Sequence, residues 1–307
     1  MLDTVFYIVL NMSITSSVVG LIILSLRRLN FMPKLGVYWL WSFVLIKLLL
    51  PFSISSRTSL LNLAGSFVKR LVPLPGTENA NIRLSMSNSI GAAKTYFPVT
   101  YSNNLDNIFG TAAVIWAVGA LAGLLLTIAI YLLSNRQIKG VVHHKDNIYT
   151  GGMISEPVTI GLINQKILVP PEYLEDPRLN YIILHENIHV RRHDNLIRCL
   201  AIITACLHWF NPLVWLFLKA FTDDMEFTCD SRAVKSLSEP DRKGYASALL
   251  SVGTGSTYSL FAAFGKSGIR ARVLNVINYK RLSVFTLVLL LFFIAAASAV
   301  LLTNPVK

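Results

Sequence analysis

His185-Glu186-Asn187-Ile188-His189 places two imidazoles four residues apart with a carboxylate between them. On an α-helix, side chains four apart stand one above the other, so both imidazoles can reach a single ion. Glu186 is then turned aside toward the open coordination position. Neutral imidazole nitrogens suit zinc, and a catalytic zinc site takes three protein ligands and leaves its fourth position to water. The pattern therefore predicts bound Zn2+, His185 and His189 as ligands, Glu186 as general base on the water, and a third ligand elsewhere in the chain. The competing reading, two surface histidines on a polar helix face, is weighed by whether that third ligand can be found.

The elements that must position these residues are legible on both sides of the motif. Its helix is expected to start at Asp176-Pro177, with Asp as N-cap and Pro at the first helical position. Leu179, Ile182, Ile183 and Ile188 continue it at roughly helical spacing. Ahead of it, Ile148 to Val169 reads as short strands, with a turn at Gly151-Gly152, an edge at Pro157 and a buried strand from Gln165 to Val169. A substrate peptide is expected to add as a strand along the edge near Ile160 to Val169.

Downstream, the apolar run Cys199 to Phe221 is long enough to span a membrane but is broken near its middle by His208 and Asn211-Pro212. Spanning would put everything beyond it on the opposite side from His185 and His189. Folding back as a helical hairpin would bring Glu226 level with His189, because the midpoint between them falls at residues 207 and 208. Asp230 follows Glu226 by four residues, on the same helix face, and could orient a zinc-bound histidine; Asp194, nine residues after His185, is a second carboxylate for that role. Cys229 lies close to this set and reads as a small buried apolar residue. The group that stabilises the developing oxyanion is left open among Tyr245, His208, Arg232 and His193. Ser236 to Tyr279 reads as a flexible linker.

The rest of the chain points to a membrane. Of its 307 residues 53% are hydrophobic and 14% charged, against roughly 25% charged in an average soluble domain. Runs at about residues 5–26, 35–54, 108–133 and 284–302 meet the roughly 20 apolar residues that a bilayer requires. The net charge of +12 is read as topology signal rather than nucleic-acid affinity, because Arg27, Arg28, Lys34, Lys280 and Arg281 flank the runs where the positive-inside rule wants them. Both termini are then outside and the polar block is cytoplasmic. The expected architecture is an α-helical membrane protein with four transmembrane helices and an α+β gluzincin-like zinc metallopeptidase domain inserted between the third and fourth. Its parts are an N-terminal membrane region, 1–133, with an external loop, 57–107; the metallopeptidase domain, 134–282, with its hairpin at 199–221; and a last span and short tail, 283–307. A short amphipathic helix is expected around Leu60 to Leu71. Three cysteines imply no disulfide framework.

HENIHVRRHD (His185 to Asp194), HWFNPLVW (His208 to Trp215) and DMEFTCD (Asp224 to Asp230) resemble the membrane metallopeptidase family of the BlaR/MecR antibiotic sensor-transducers, and SEPVTIGLINQKILVP (Ser155 to Pro170) looks like that family's strand region. The resemblance implies a gluzincin-type protease facing the cytoplasm, with His185, His189 and Glu226 as ligands and Glu186 as base, cutting a transcriptional repressor, itself, or both. A separate sensor protein and a second copy of the chain are further partners that fit this reading. The best-known members continue into an external penicillin-binding domain, and this sequence ends at Lys307, soon after the last run. Ser66-Phe67-Val68-Lys69 matches the nucleophile motif of penicillin-recognising proteins, but no S-D-N or K-T-G accompanies it, so β-lactam acylation is not expected. Two other roles compete: a housekeeping membrane protease, and a receptor with a vestigial zinc site. An intact Glu186 argues against the second, because a closed structural site has no use for a base.

Overall fold

The computed structural model describes residues 2–28, 34–51, 55–56, 102–136, 140–151, 154, 156–252, 268–279, 288, 292 and 304–305. They belong to two compact units, one of Met1–Ala122, Thr204–Trp215 and Ser283–Lys307, the other of Gly123–Ile203 and Leu216–Leu282.

In the first unit α1 (Leu2–Arg27) packs against α2 (Lys34–Leu49), and a two-residue strand, β1 (Ser55–Ser56), pairs in parallel with Asn304–Pro305. The third helix, α3, runs from Ser102 to Arg136. Two helical stretches among the described residues are long and apolar enough to cross a membrane, Leu2–Arg27 and Phe109–Leu133. Of the expected span at 35–54, the structure describes a helix of 16 residues that stops at Leu49, and a helix is hard to continue into a proline such as Pro51. The span at 284–302, the amphipathic helix at 60–71 and the Ser66 motif lie outside the described residues.

Two helices, α5 (Asp194–Leu207) and α6 (Pro212–Lys235), are separated by a turn at residues 208–211. The break follows from Asn211-Pro212: Pro212 sits at a position where its missing N–H costs nothing, and the Asn211 side-chain oxygen Oδ1 accepts the Leu213 N–H at 3.0 Å as a cap. Several of the turn's polar groups bond within the first unit. Asn211 Nδ2 donates to Ser13 Oγ and Ser17 Oγ, each at 2.8 Å. Trp209 donates to the Trp116 carbonyl, Trp116 donates to the Leu207 carbonyl, and the His208 ring bonds the Leu48 carbonyl. Gly119 makes room for this turn, since a Cβ there would come within 2.4 Å of the Trp209 indole.

The second unit begins with a four-stranded sheet in the order β2 (Val142–Lys145), β3 (Ile148–Thr150), β5 (Lys166–Val169), β4 (Val158–Ile160). The β2–β3 and β4–β5 pairs are antiparallel and the β3–β5 pair is parallel. The expected edge near Ile160 to Val169 is corrected here: β5 lies inside the sheet, with Ile167, Leu168 and Val169 fully buried, and the edge beside the site is β4. A continuous apolar run is the mark of a strand covered on both faces, and burying its three side chains contributes roughly 1.5–3 kcal/mol each. The β4–β5 turn depends on Gly161, whose φ is +86° and whose Cβ would approach the Asn164 carbonyl oxygen to 2.7 Å.

The motif helix, α4, runs from Leu179 to Arg192. It starts two residues later than the Asp-Pro signal suggests, because the Asp176 carboxylate binds the backbone N–H and guanidinium of Arg178 and holds Pro177-Arg178 in a turn. One face, through Leu179, Ile183 and Val190, packs on Ile148, Ile167 and Val169 of the sheet. The other, through Tyr181, Leu184 and Ile188, packs on Ala233, Val234, Tyr245, Ala246 and Val276. The segment expected as a linker, Ser236 to Tyr279, instead contains α7 (Glu239–Val252) and α8 (Ile269–Ile277), which pack against each other and help to close that core; residues 253–267 lie outside the description.

Candidate metal centre

His185 and His189 point inward from α4 and are 8% and 6% exposed. Their Nε2 atoms are 3.1 Å apart. From α6, Glu226 places Oε2 at 3.5 Å from His185 Nε2 and Oε1 at 3.7 Å from His189 Nε2. A tetrahedral ion bound at zinc's usual ligand distances separates neighbouring donors by about 3.3 Å, and the two Nε2 atoms and the Glu226 carboxylate, which turns one oxygen toward each imidazole, are spaced on that scale.

The far side of each imidazole fixes its tautomer. His189 Nδ1 lies 2.6 Å from Asp194 Oδ2, and Asp194 in turn pairs with Arg192. That contact exists because α4 ends at His193 in the left-handed conformation (φ 54°) and α5 begins at the next residue. His185 Nδ1 lies 2.8 Å from the Tyr245 hydroxyl, which donates to Asp230 Oδ1 at 2.8 Å; Asp230 Oδ1 is itself 3.3 Å from His185 Nδ1. Both acceptors call for Nδ1–H, which leaves both Nε2 lone pairs facing each other. Two lone pairs at 3.1 Å call for a positive charge between them, which a shared proton or a metal cation can supply.

Without an ion the same surroundings favour protonated rings: burial works against the charged imidazoles, but Cys229, joined by Tyr245 and Asp230 at His185 and by Glu226 and Asp194 at His189, outweighs it and raises both well above the usual range. Burial likewise opposes the charge on Glu226, yet His189, Arg272 and Arg198 hold its carboxyl well below the usual range. Arg198 Nη2 bonds Glu226 Oε1, and Arg272 Nη1 is 3.3 Å from Oε2. Arg272 also forks the two oxygens of Asp230 at 2.8 Å each.

Glu186 lines the same cavity, of about 370 Å3, together with Arg198, Arg272 and an apolar wall that includes Ile182, Leu249 and Ile269. Its Oε2 accepts the Thr159 hydroxyl at 2.7 Å. Thr159 belongs to β4, which Asn195 ties down by donating to the carbonyls of Thr159 and Gly161 at 2.9 and 3.2 Å. With Glu186 as the base that the sequence leads one to expect, Thr159→Val should lower peptide hydrolysis about tenfold at unchanged metal content, because Glu186 loses the bond that aims it; equal activity in a peptide assay would show the hydroxyl to be idle.

Among the candidates for the oxyanion, His208 sits in the turn of the first unit, Arg232 and His193 are exposed, and Tyr245 is held between His185 and Asp230. Thr159, Asn195, Arg198 and Arg272 carry no signal of their own in the sequence, since each reaches the site from a different element. Cys229 is nearer the chemistry than a packing residue would be. One donor atom from each of His185, His189 and Cys229 falls within 4.8 Å of the others, and the Cys229 sulfur is 3.5 Å from His185 Nδ1.

A family model described as BlaR1 peptidase M56 matches residues 7–276. The chain belongs to this family. Membership in the M56 family supports a metallopeptidase, in a chain with apolar helices. It is similar to the regulatory protein BlaR1 of Bacillus licheniformis, 30% identical over 164 residues, which cover 48% of this chain and 27% of that protein. It is also similar to the methicillin resistance mecR1 protein of Staphylococcus aureus, 31% identical over 100 residues, 32% of this chain and 17% of that protein. The chain thus spans a minor part of the length of these M56 relatives.

Proposed function

We propose that the chain is a membrane-embedded, zinc-dependent endopeptidase of the signal-transducing type, which hydrolyses a cytoplasmic repressor, itself, or both. The observation that carries this is the meeting of His185, His189 and Glu226 at the edge lengths of a tetrahedral site, with Glu186 in the same cavity. A zinc ion held there supplies a Lewis acid that acidifies water and polarises a peptide carbonyl. The chain's own groups do the rest. Asp194 keeps His189 in the tautomer that offers Nε2, and Asp230 does so for His185 through Tyr245. Thr159 engages Glu186 Oε2, leaving Oε1 to take the proton of the attacking water and to return it to the leaving amine as the C–N bond breaks. A peptide can lie along β4 at Pro157–Thr159, beside the cavity; Asn195 occupies the edge beyond.

In this reading four helices cross the bilayer with both termini outside, so the peptidase unit faces the cytoplasm, where a repressor would meet it. A sensor protein or a second copy of the chain would act from the membrane side. A second reading of the ligands replaces Glu226 by Cys229, and the short separation of its sulfur from both histidines favours it. Glu226 is preferred because its oxygens approach both Nε2 atoms, whereas at His185 the Cys229 sulfur lies against Nδ1, which Tyr245 already engages.

Purified full-length protein in lipid nanodiscs should hold about one zinc per chain and cleave some members of a library of internally quenched peptides. A chelator should remove both properties together, and stoichiometric zinc should restore them. Cleavage that persists in metal-depleted protein, as measured by mass spectrometry of the metal content, would end the proposal.

A further inference from the structure

We infer that Arg272 stabilises the negative charge that develops on the substrate's carbonyl oxygen. The inference rests on the metallopeptidase reading and names a further group at the same site. Arg272 stands on α8, and its side chain is 15% exposed. Its guanidinium is fixed side-on by Asp230, with Nε donating to Oδ2 and Nη2 to Oδ1. Nη1 and the second N–H of Nη2 remain, and they turn toward the ligand triangle: Nη1 is 3.3 Å from Glu226 Oε2, and Nη2 is 3.3 Å from His185 Nε2. Those are the separations that a tetrahedral ion imposes between its neighbouring ligands, about 3.3 Å. The two nitrogens thus lie against the ligand cluster, and Arg272 lines the cavity that Glu186 shares.

A guanidinium has no lone pair and cannot ligate a cation. What it can serve in that place is an oxygen that carries negative charge. Arg198 is less suited to the role, because it bonds Glu226 Oε1 while its Nε has no partner among the described residues, so it lacks the second carboxylate that fixes Arg272. Tyr245 is already committed on both sides. The step balances without any further reactant. The water oxygen bonds to the carbonyl carbon while its proton passes to Glu186, and the π pair moves onto the carbonyl oxygen, where the Arg272 N–H groups receive it. The pair returns as the C–N bond breaks and Glu186 protonates the leaving nitrogen. The fork to Asp230 matters as much as the charge, since it holds the donors in place before reaction; a lysine at this position offers a point charge without the fork.

The test uses the full chain in nanodiscs loaded with zinc, as wild type, Arg272→Lys and Arg272→Gln. Zinc content, kcat and KM on quenched peptides, and affinity for an N-phosphoryl dipeptide are measured. The same dipeptide bearing an acetyl group is the control without tetrahedral charged oxygens. Arg272→Lys should keep its zinc and its KM within about threefold while kcat falls about 10²–10³-fold. Affinity for the phosphoryl dipeptide should fall by a similar factor and affinity for the acetyl control should not change. Arg272→Gln should behave alike; if it does not fold, Arg272→Lys decides. Zinc lost in step with activity would reduce Arg272 to a positioning residue and overturn the assignment, as would an unchanged phosphoryl affinity. Wild-type protein that holds no zinc would instead sink the metallopeptidase reading, and this assignment with it.

Discussion

Glu186→Gln is expected to leave the metal bound and the fold intact while peptide hydrolysis falls by about 10²–10⁴-fold, the usual contribution of a positioned general base. Glutamine keeps the shape of the side chain and can still accept the Thr159 hydroxyl, so the cavity wall is preserved. What is lost is a group that can take a proton. Glu186 lines the cavity without being recorded among the contacts of His185 or His189 Nε2, which is why metal content should not follow activity. Equal activity of the variant on quenched peptides, at equal zinc content, would remove Glu186 from the reaction.

The second large effect separates the two candidate third ligands. Glu226→Gln should lower zinc affinity by two orders of magnitude or more, because a neutral amide is a poor substitute for a carboxylate ligand. It should also destabilise the protein by about 3–5 kcal/mol, since it breaks a buried ion pair and leaves Arg198 and Arg272 without their shared counter-charge. Cys229→Ala removes a buried sulfur and should cost about 1 kcal/mol with zinc affinity changed by less than about threefold. Competition against a chromophoric chelator reads the affinities, and thermal melting reads the stabilities. The reverse ranking of the two affinities would assign Cys229 as the ligand.

What the sequence shows and what it hides at this site have a physical basis. A ligand pair spaced four apart is a local property of a helix, so His185 and His189 stand out before any fold is known. Glu226 is 37 residues beyond His189 and could be placed only because Asn211-Pro212 breaks the apolar run between them. Arg272 is 46 residues beyond Glu226, on a short helix whose Gly- and Ser-rich surroundings read as a linker; its burial arises from packing on α7, which no local pattern encodes. The strand order of the sheet was hidden for a similar reason. Lys166 to Val169 has the apolar run of a buried strand, but its interior place comes from β3 and β4 pairing on either side of it, and each of those is three residues long, too short to show the alternation by which strands are recognised. The family itself was legible because three motifs occur in one order along the chain, which is a stronger signal than any of them alone.

An unpaired strand edge is a template on which other chains can aggregate, and β4 is such an edge. It is three residues long, and the Asn195 carboxamide already covers two successive outward carbonyls at Thr159 and Gly161. With the Thr159 and Gly161 carbonyls engaged, the edge offers main-chain groups only toward its Pro157 end, so a strand that adds there is confined to a short register beside the reaction centre.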